Sequence, residues 1–482
     1  MISMTMDEIV RLVDGRPYGL DPQLEVSGKV EFDSRRVRPG DLFLAIKGER
    51  ADGHDFAEAA LAAGAVAVLG TRQLGVPCIV VADPIAAITA LAATAARRMP
   101  ATVVELTGSS GKTSTKDLLA QVLERHGRTV APPESFNNEL GFPYTVLLAG
   151  AETDYLVLEA SARGIGHIRS LTRIAPPAVA AVLNVGSAHL GEFGSVEAIA
   201  QAKGELVEAL PPDGLAVLNA DDPRVLAMAA RTAARVVTFG EQPAADVRAE
   251  QVVIEPTGRA RFELVAGAER APVALRLLGE HQVSNALAAA AVALSLGMPL
   301  PAVAEALSAA TARSHWRMEL IEVAGVTVVN DAYNANPESM RAALKSLAIM
   351  TGSGEPAGSA GGSGGPAGRR SIAVLGQMAE LGAESVAAHD AIGRLAVRLN
   401  VNLLIAVGET ARPIANGAAL EGSWDGEARW VPDRHAAVRE LLELVRPGDV
   451  VLVKGSRAAE LQQVAHGLIA GVAETAQGRE HA

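Results

Sequence analysis

Short apolar runs alternate with stretches of helical periodicity along most of this chain, and together they predict its elements. Between residues 101 and 312 the runs Val103–Leu106, Tyr155–Glu159, Ala178–Asn184 and Ala216–Asn219 are nearly unbroken. Strands of that kind are buried on both faces, as in a parallel sheet covered by helices. Further on the pattern changes: Val252–Ile254, Ala260–Leu264 and Val273–Leu278 alternate like an antiparallel edge. A long helix is predicted over His281–Leu296, closed by Gly297 and Pro299. Upstream, Leu42–Ile46, Ala65–Leu69 and Cys78–Val81 read as strands, with helices over Phe56–Ala63 and 85–98. Downstream, Thr327–Asn330, Ser371–Leu375, Leu403–Val407 and Val450–Val453 read as strands of another unit. The expected fold class is α/β in three domains: a small N-terminal α/β domain (1–98), a central, mostly parallel sheet domain (99–312) and a Rossmann-like C-terminal domain (313–482).

Composition narrows the class. A chain of 482 residues is too long for one core, and 49% hydrophobic residues can fill several. Aromatics are only 3%, so the cores are built from small aliphatic side chains. A formal net charge of −12 argues against a general nucleic-acid or anionic-membrane surface. An anionic substrate then requires a local basic pocket. The single cysteine, Cys78, lies inside an apolar run and reads as a buried structural thiol, which leaves no disulfide framework and no cysteine zinc site. Met1–Leu20 has acidic residues and no long apolar stretch, so no signal peptide is expected, and no run is long enough to span a bilayer. A cytoplasmic monomer is the expectation. Residues 351–369, rich in Gly, Ser, Pro and Ala, read as a flexible loop within the last domain.

Residues 103–115 carry the strongest chemical signal: Val-Val-Glu-Leu-Thr-Gly-Ser-Ser-Gly-Lys-Thr-Ser-Thr. A strand ends in a glycine turn, and a helical pattern follows. Backbone N–H groups from Gly108 to Lys112 can surround phosphate oxygens, and the helix dipole favours the same charge. Lys112 reaches the outer phosphates in such a loop, and the Thr113 hydroxyl sits on Mg²⁺. The strict pattern places glycine at 106, where Leu106 stands. The candidate nucleotide contacts are Thr107, Gly108, Ser109, Ser110, Gly111, Lys112 and Thr113.

Other strand ends are also polar, and strand C-termini are where open parallel sheets bind ligands. Glu159 follows a buried run and suits a hard cation, with a helix cap or an ion pair as the alternative. His189 lies in Asn-Val-Gly-Ser-Ala-His-Leu-Gly-Glu-Phe-Gly (184–194), as a metal ligand, a phosphate-adjacent donor or a solvated loop residue. Lys203, on its own, reads as a surface helix lysine paired with a nearby acid. His281 and Asn285 share a helix face; Asn285 suits an adenine edge, or the segment is a capping turn. Residues 330–337 hold three asparagines, an aspartate and a tyrosine, too polar for a simple connector, and Pro337 opens the next helix. Lys454-Gly-Ser-Arg457 puts basic groups at another strand end, suited to a carboxylate or phosphate.

Taken together these motifs resemble those of the Mur ligase family, the ATP-dependent enzymes that build the peptide of bacterial cell-wall precursors. The resemblance covers essentially the whole chain. It rests on Thr107–Thr113, on Phe-Asn-Asn-Glu-Leu-Gly-Phe-Pro (136–143), on Asp-Ala-Tyr-Asn-Ala-Asn-Pro (331–337), and on Leu-Gly-Gln-Met-Ala-Glu-Leu-Gly (375–382) with His389. The Tyr-Asn-Ala-Asn-Pro run is similar to that of the member joining D-alanyl-D-alanine to UDP-N-acetylmuramoyl-tripeptide. Gln377 and Asn330 depart from that pattern, which favours Asp at both positions.

The resemblance implies ATP and Mg²⁺ as cofactors. Thr113, Glu159, His189 and Lys203 match the metal surroundings, and Lys203 matches a lysine that is carbamylated. Lys112, His189 and Lys203 are the expected catalytic residues. Asn285, Arg317 and Asp331 match the adenine, phosphate and ribose contacts. Ser34 and Arg35, with Asp52-Gly-His54, match the part that holds uridine diphosphate, and Asn137 and Asn138 match positions facing the muramoyl peptide. Tyr333, Asn334, Asn336, Lys454, Ser456 and Arg457 complete the expected substrate contacts. The expected partners are the two small-molecule substrates, with no nucleic acid and no membrane. Rival readings are the sister ligase that adds the third amino acid, whose Asp-Asn-Pro-Arg motif is not found here, a folylpolyglutamate-synthase relative, and a non-catalytic nucleotide-binding module.

Overall fold

The computed structural model describes residues 1–48, 51–188, 190–352, 368–422 and 424–480. The predicted loop 351–369 therefore falls largely outside the described residues, as does His189. The chain is an α/β protein with sheets of five, nine and six strands and a separate two-stranded ribbon. In the five-stranded sheet the order is Arg16–Tyr18, Cys78–Val80, Ala67–Gly70, Leu42–Leu44, Val30–Glu31, antiparallel only at its first pairing. The six-stranded sheet runs Glu319–Val323, Val326–Asp331, Val450–Lys454, Ser371–Leu375, Leu403–Val407, Glu427–Val431, and again only the first pairing is antiparallel.

The nine-stranded sheet positions the site. Its six strands Arg235–Gly240, Leu215–Asn219, Val179–Val182, Thr102–Thr107, Tyr155–Glu159 and Thr129–Val130 are mutually parallel. Val247–Ile254, Arg259–Ala266 and Glu269–Leu278 extend it, the last two through antiparallel pairings, as their alternation predicts. Thr102–Thr107 lies between Val179–Val182 and Tyr155–Glu159, although Thr129–Val130 follows it in sequence. The winding direction reverses there, which opens a crevice at the strand C-termini.

Three of the strands that periodicity does not reveal are half exposed. Arg235–Gly240, Glu319–Val323 and Glu427–Val431 each alternate or mix buried and open positions, and the last two are sheet edges. An edge strand needs no continuous apolar run, so its pattern is weak.

Small side chains set the packing distances. The alanine-rich helix Gln282–Ser295 buries every residue from Ala286 to Ala293 and packs on the helix Lys112–Leu123. One continuous apolar cluster joins Leu42, Leu69 and Ile79 of the first sheet to Leu156, Leu158 and Val182 of the central one. Phe32, Phe136 and Tyr144 form an aromatic trio at that junction, with ring centroids 5.1–6.0 Å apart. Cys78 is buried and unpaired with another cysteine, as expected. Among the described residues no helix is long and apolar enough to cross a membrane.

Two packing features carry predictions. A Cβ at Gly393 would overlap the Ile414 carbonyl of the neighbouring helix, and one at Gly417 the Asp390 carbonyl. Gly393→Ala is expected to destabilise the fold by about 1–3 kcal/mol, because backbone cannot move aside as a side-chain end can; thermal unfolding measures it. Glu105 sits fully buried in the central strand, neither carboxyl oxygen has a partner, and burial pushes its pKa well above 4.5. A raised folded-state pKa means that stability falls as pH rises above the unfolded-chain value. Glu105→Gln is therefore expected to raise the melting temperature at neutral pH, with a gain that shrinks as pH falls toward 4.5. A gain independent of pH would contradict this account.

Candidate functional site

The crevice at the switch point is shaped by the turn after Thr102–Thr107. Gly111 takes a left-handed conformation (φ 78°) at the head of the helix Lys112–Leu123, and a Cβ there would overlap Asn285 Oδ1. Asn184, just beyond the neighbouring strand, holds the turn from below. Its Oδ1 accepts the Ser109 and Ser110 N–H groups at 2.9 and 3.0 Å, while its Nδ2 donates to the Ser110 carbonyl at 3.2 Å. Thr107 is buried beneath, its hydroxyl donating to the Ala160 carbonyl at 2.8 Å. Lys112 folds back so that Nζ donates to the Gly108 carbonyl at 2.8 Å. Burial lowers the Lys112 pKa; Glu159 opposes the shift and Arg317 adds to it.

Thr113 is the centre of a polar network. Its hydroxyl donates to Glu159 Oε2 at 2.9 Å and meets the Ser135 hydroxyl at 2.7 Å. Arg317 donates to both hydroxyls, at 2.9 and 2.6 Å. Asn137 donates to the other Glu159 oxygen at 2.6 Å. Glu159 is thus neither a helix cap nor half of an ion pair. Its oxygens and the Thr113 hydroxyl form the hard-oxygen donor set that Mg²⁺ takes. Among the described residues no group of three or more His, Cys, Asp or Glu side chains could hold a metal alone. An ion here would need phosphate and water oxygens as well, the usual habit of Mg²⁺.

Lys203 overturns the reading of a surface lysine with an acidic partner. It lies in the helix Val196–Glu208 with only 6% of its surface exposed. No acid pairs with it among the described residues, and its pKa is well below the ordinary lysine value, through burial first and the Lys112 charge second. Burial thus favours the neutral amine over the ammonium.

The six-stranded sheet brings its own strand ends to the same crevice. Asp331 and Lys454 are neighbours in parallel register, and Lys454 Nζ donates to Asp331 Oδ2 at 2.5 Å and to the Asn334 carbonyl at 3.0 Å. The second Asp331 oxygen accepts the Met318 N–H at 3.1 Å. Arg317 lies over the Tyr333 ring, 4.1 Å from its centroid, and Arg457 is 5.8 Å from the same ring. Asn336 caps the helix Pro337–Thr351, accepting the Ser339 N–H at 2.8 Å, so Pro337 opens that helix as predicted.

One cleft of about 850 Å³ is lined by Ser109 to Thr113, Asn137, Asn138, Glu159, Asn285, Arg317, Asp331, Tyr333, Asn334, Asn336, Lys454, Ser456 and Arg457. Phe32 of the first sheet lines it too. Thr107, Gly108 and Lys203 are not on its wall. Ser34 and Arg35 also lie off it, on a turn where the exposed Arg35 guanidinium folds onto Asp33 at 2.7 Å. His54 is tied down by Asp52 at 2.6 Å and by the Thr71 N–H at 2.9 Å. His281 makes no side-chain cap bond, and Asn285 is occupied by Thr115 at 3.2 Å and Gln282 at 2.9 Å. His389 accepts the Met378 N–H at 2.8 Å and so shapes the loop after Ser371–Leu375.

Sequence reasoning did not single out Ser135, Asn184 or Glu338. Asn184 alone carried a signal, a polar residue between an apolar run and a glycine. Ser135 and Glu338 are revealed only by the partners that the fold brings to them.

Three family models match the chain: Mur ligase family, catalytic domain, over residues 28–104; Mur ligase middle domain over 106–293; and Mur ligase, glutamate ligase domain, over 316–457. The UDP-N-acetylmuramoyl-tripeptide–D-alanyl-D-alanine ligase of Mycobacterium tuberculosis is 50% identical, with 98% of each chain covered. The ligase of the same name from Escherichia coli is 35% identical, over 97% of this chain and 99% of that one. Among solved structures, MurF from Acinetobacter baumannii superposes with a TM-score of 0.82 at 32% identity, over 97% of this chain and 99% of that one. MurF ligase from Thermotoga maritima in complex with ADP gives 0.76 at 29%, over 93% and 99%. With its phosphate turn, buried cations and three matching segments, this chain belongs to the Mur ligase family.

Proposed function

We propose that the chain joins D-alanyl-D-alanine to UDP-N-acetylmuramoyl-tripeptide at the expense of ATP, in peptidoglycan precursor synthesis. The observation that carries this reading is the convergence of the phosphate turn and the Tyr-Asn-Ala-Asn-Pro loop on one cleft, in a chain half identical to ligases of that name along its full length. The segments 1–98, 99–312 and 313–482 take the uridine nucleotide, ATP and the amino substrate respectively.

The terminal carboxylate of the tripeptide attacks the γ-phosphate of ATP to form an acyl phosphate. ADP leaves; the dipeptide ammonium then gives up a proton, the free amine attacks the acyl carbon, and phosphate leaves. Phosphoryl transfer depends on charge neutralisation and in-line placement more than on covalent help. The turn amides that Asn184 does not take, together with Lys112, hold the phosphates, with Arg317 opposite. Asn137 orients Glu159. Thr113 and Glu159, with His189, would hold Mg²⁺, which would supply further charge neutralisation. Burial favours the neutral amine of Lys203 over the ammonium, and that amine can add CO₂ to become a carboxylate-like group near Lys112. Water excluded from the cleft cannot hydrolyse the acyl phosphate.

Incubation with ATP, UDP-N-acetylmuramoyl-tripeptide and D-alanyl-D-alanine is expected to yield ADP, phosphate and the pentapeptide product by mass spectrometry. ATP turnover only with a single amino acid as acceptor would favour the sister ligase, and none with either would favour a non-catalytic module. Lys112→Ala is expected to lower turnover at least about 10²-fold with the circular-dichroism spectrum unchanged; full activity would remove the turn from the mechanism. Activity should fall in CO₂-free buffer and return with bicarbonate, and ¹³C-bicarbonate should give a carbamate signal absent from Lys203→Ala. A Lys203→Ala enzyme as active as the parent would sink that role.

A further inference from the structure

Glu338 stands in the first turn of the helix Pro337–Thr351, on the wall of the cleft. Its Oε1 accepts two hydrogen bonds from Ser187, from N–H at 2.9 Å and from the hydroxyl at 2.8 Å. Ser187 belongs to the loop that begins at Asn184, the residue that grips the phosphate turn. Glu338 thus ties the six-stranded sheet's first long helix to the nine-stranded sheet's phosphate site. Gly186 permits the approach: a Cβ there would lie 3.1 Å from Glu338 Cδ.

The other oxygen, Oε2, is buried and has no hydrogen-bond partner among the described residues. The cleft's other central carboxylates are fully engaged. Glu159 is taken by Thr113 and Asn137, and Asp331 by Lys454 and Met318. A buried carboxylate oxygen without a donor is unfavourable unless a ligand supplies one. A second unpartnered group, the Ser456 hydroxyl, lies on the same cleft beside Arg457. An anionic acceptor and a hydroxyl beside a guanidinium on the wall of one cleft suit a zwitterion.

We propose that Glu338 seats the ammonium of the incoming amino substrate. Oε1 fastens the seat to Ser187, next to the phosphate turn, and Oε2 accepts the ammonium hydrogen bond. A charge-assisted bond of this kind fixes the nitrogen within reach of the activated carboxyl, and Ser456 and Arg457 take the substrate's carboxylate end. This inference rests on the ligase reading above.

The test separates the two oxygens. Glu338→Gln keeps one carbonyl oxygen for Ser187 and replaces the other acceptor with an amide NH₂. Its KM for D-alanyl-D-alanine should rise at least about tenfold. Trapping of the acyl phosphate with hydroxylamine, in ATP and UDP-N-acetylmuramoyl-tripeptide alone, should proceed at the parent rate. Glu338→Ala, which loses both contacts, should slow the trapping as well. An unchanged KM for the dipeptide in Glu338→Gln overturns the proposal. So does an equal loss of hydroxamate and amide formation in that variant, which would place Glu338 in the first step instead. Failure of the parent enzyme to form any hydroxamate would overturn the ligase reading itself.

Discussion

A cluster of basic side chains is the constraint around which the site is organised. Lys112, Lys203 and Arg317 gather at the C-terminal ends of the central strands, and Lys112 shifts the pKa of Lys203 just as Arg317 shifts that of Lys112. Glu159 is the carboxylate that opposes them at Lys112. Half-buried cations on one cleft wall, opposed there by the single carboxylate Glu159, make a site whose electrostatics are completed by an anion. In a protein of net charge −12 this is a local arrangement, paid for by the packing of the rest of the sheet. A triphosphate satisfies it, and the free backbone N–H groups of the same turn add to the pull on that anion.

Strained backbone holds the opposite wall in place. Trp316 and Met318, on either side of Arg317, both adopt positive φ, 58° and 50°. Residues with side chains rarely do so, and such strain persists only where surrounding contacts over-determine it. Here the Met318 N–H is held by Asp331, and the Trp316 carbonyl accepts the Tyr333 N–H at 3.2 Å. The Arg317 side chain is stretched between the Tyr333 ring and the Thr113 hydroxyl. The six-stranded sheet therefore reaches the phosphate site by two independent bridges, Arg317 to Thr113 and Glu338 to Ser187.

Much of the fold was legible because parallel strands are apolar without interruption. Tyr155–Glu159, Ser371–Leu375 and Leu403–Val407 appear with the ends their patterns predict. Strands such as Glu319–Val323 escaped notice because edge positions are half solvated and carry mixed residues. The phosphate turn was legible because glycine, lysine and threonine must stand at fixed offsets for backbone amides to surround an anion. Lys203 was misread from its neighbours alone, since helical periodicity reveals which side of a helix is apolar but not what lies against it.

By itself the amino-acid order determined the element types, the phosphate turn and the cap that starts the helix at Pro337, all of which depend on local φ/ψ preferences and short-range spacing. Tertiary structure alone decided that Lys203 is buried without an acid, that Ser135 joins Thr113 and Arg317, and that Glu338 grips Ser187 while keeping one oxygen free. Those facts depend on which elements meet, and residues 151 positions apart are brought together by sheet order and packing, which no local pattern encodes.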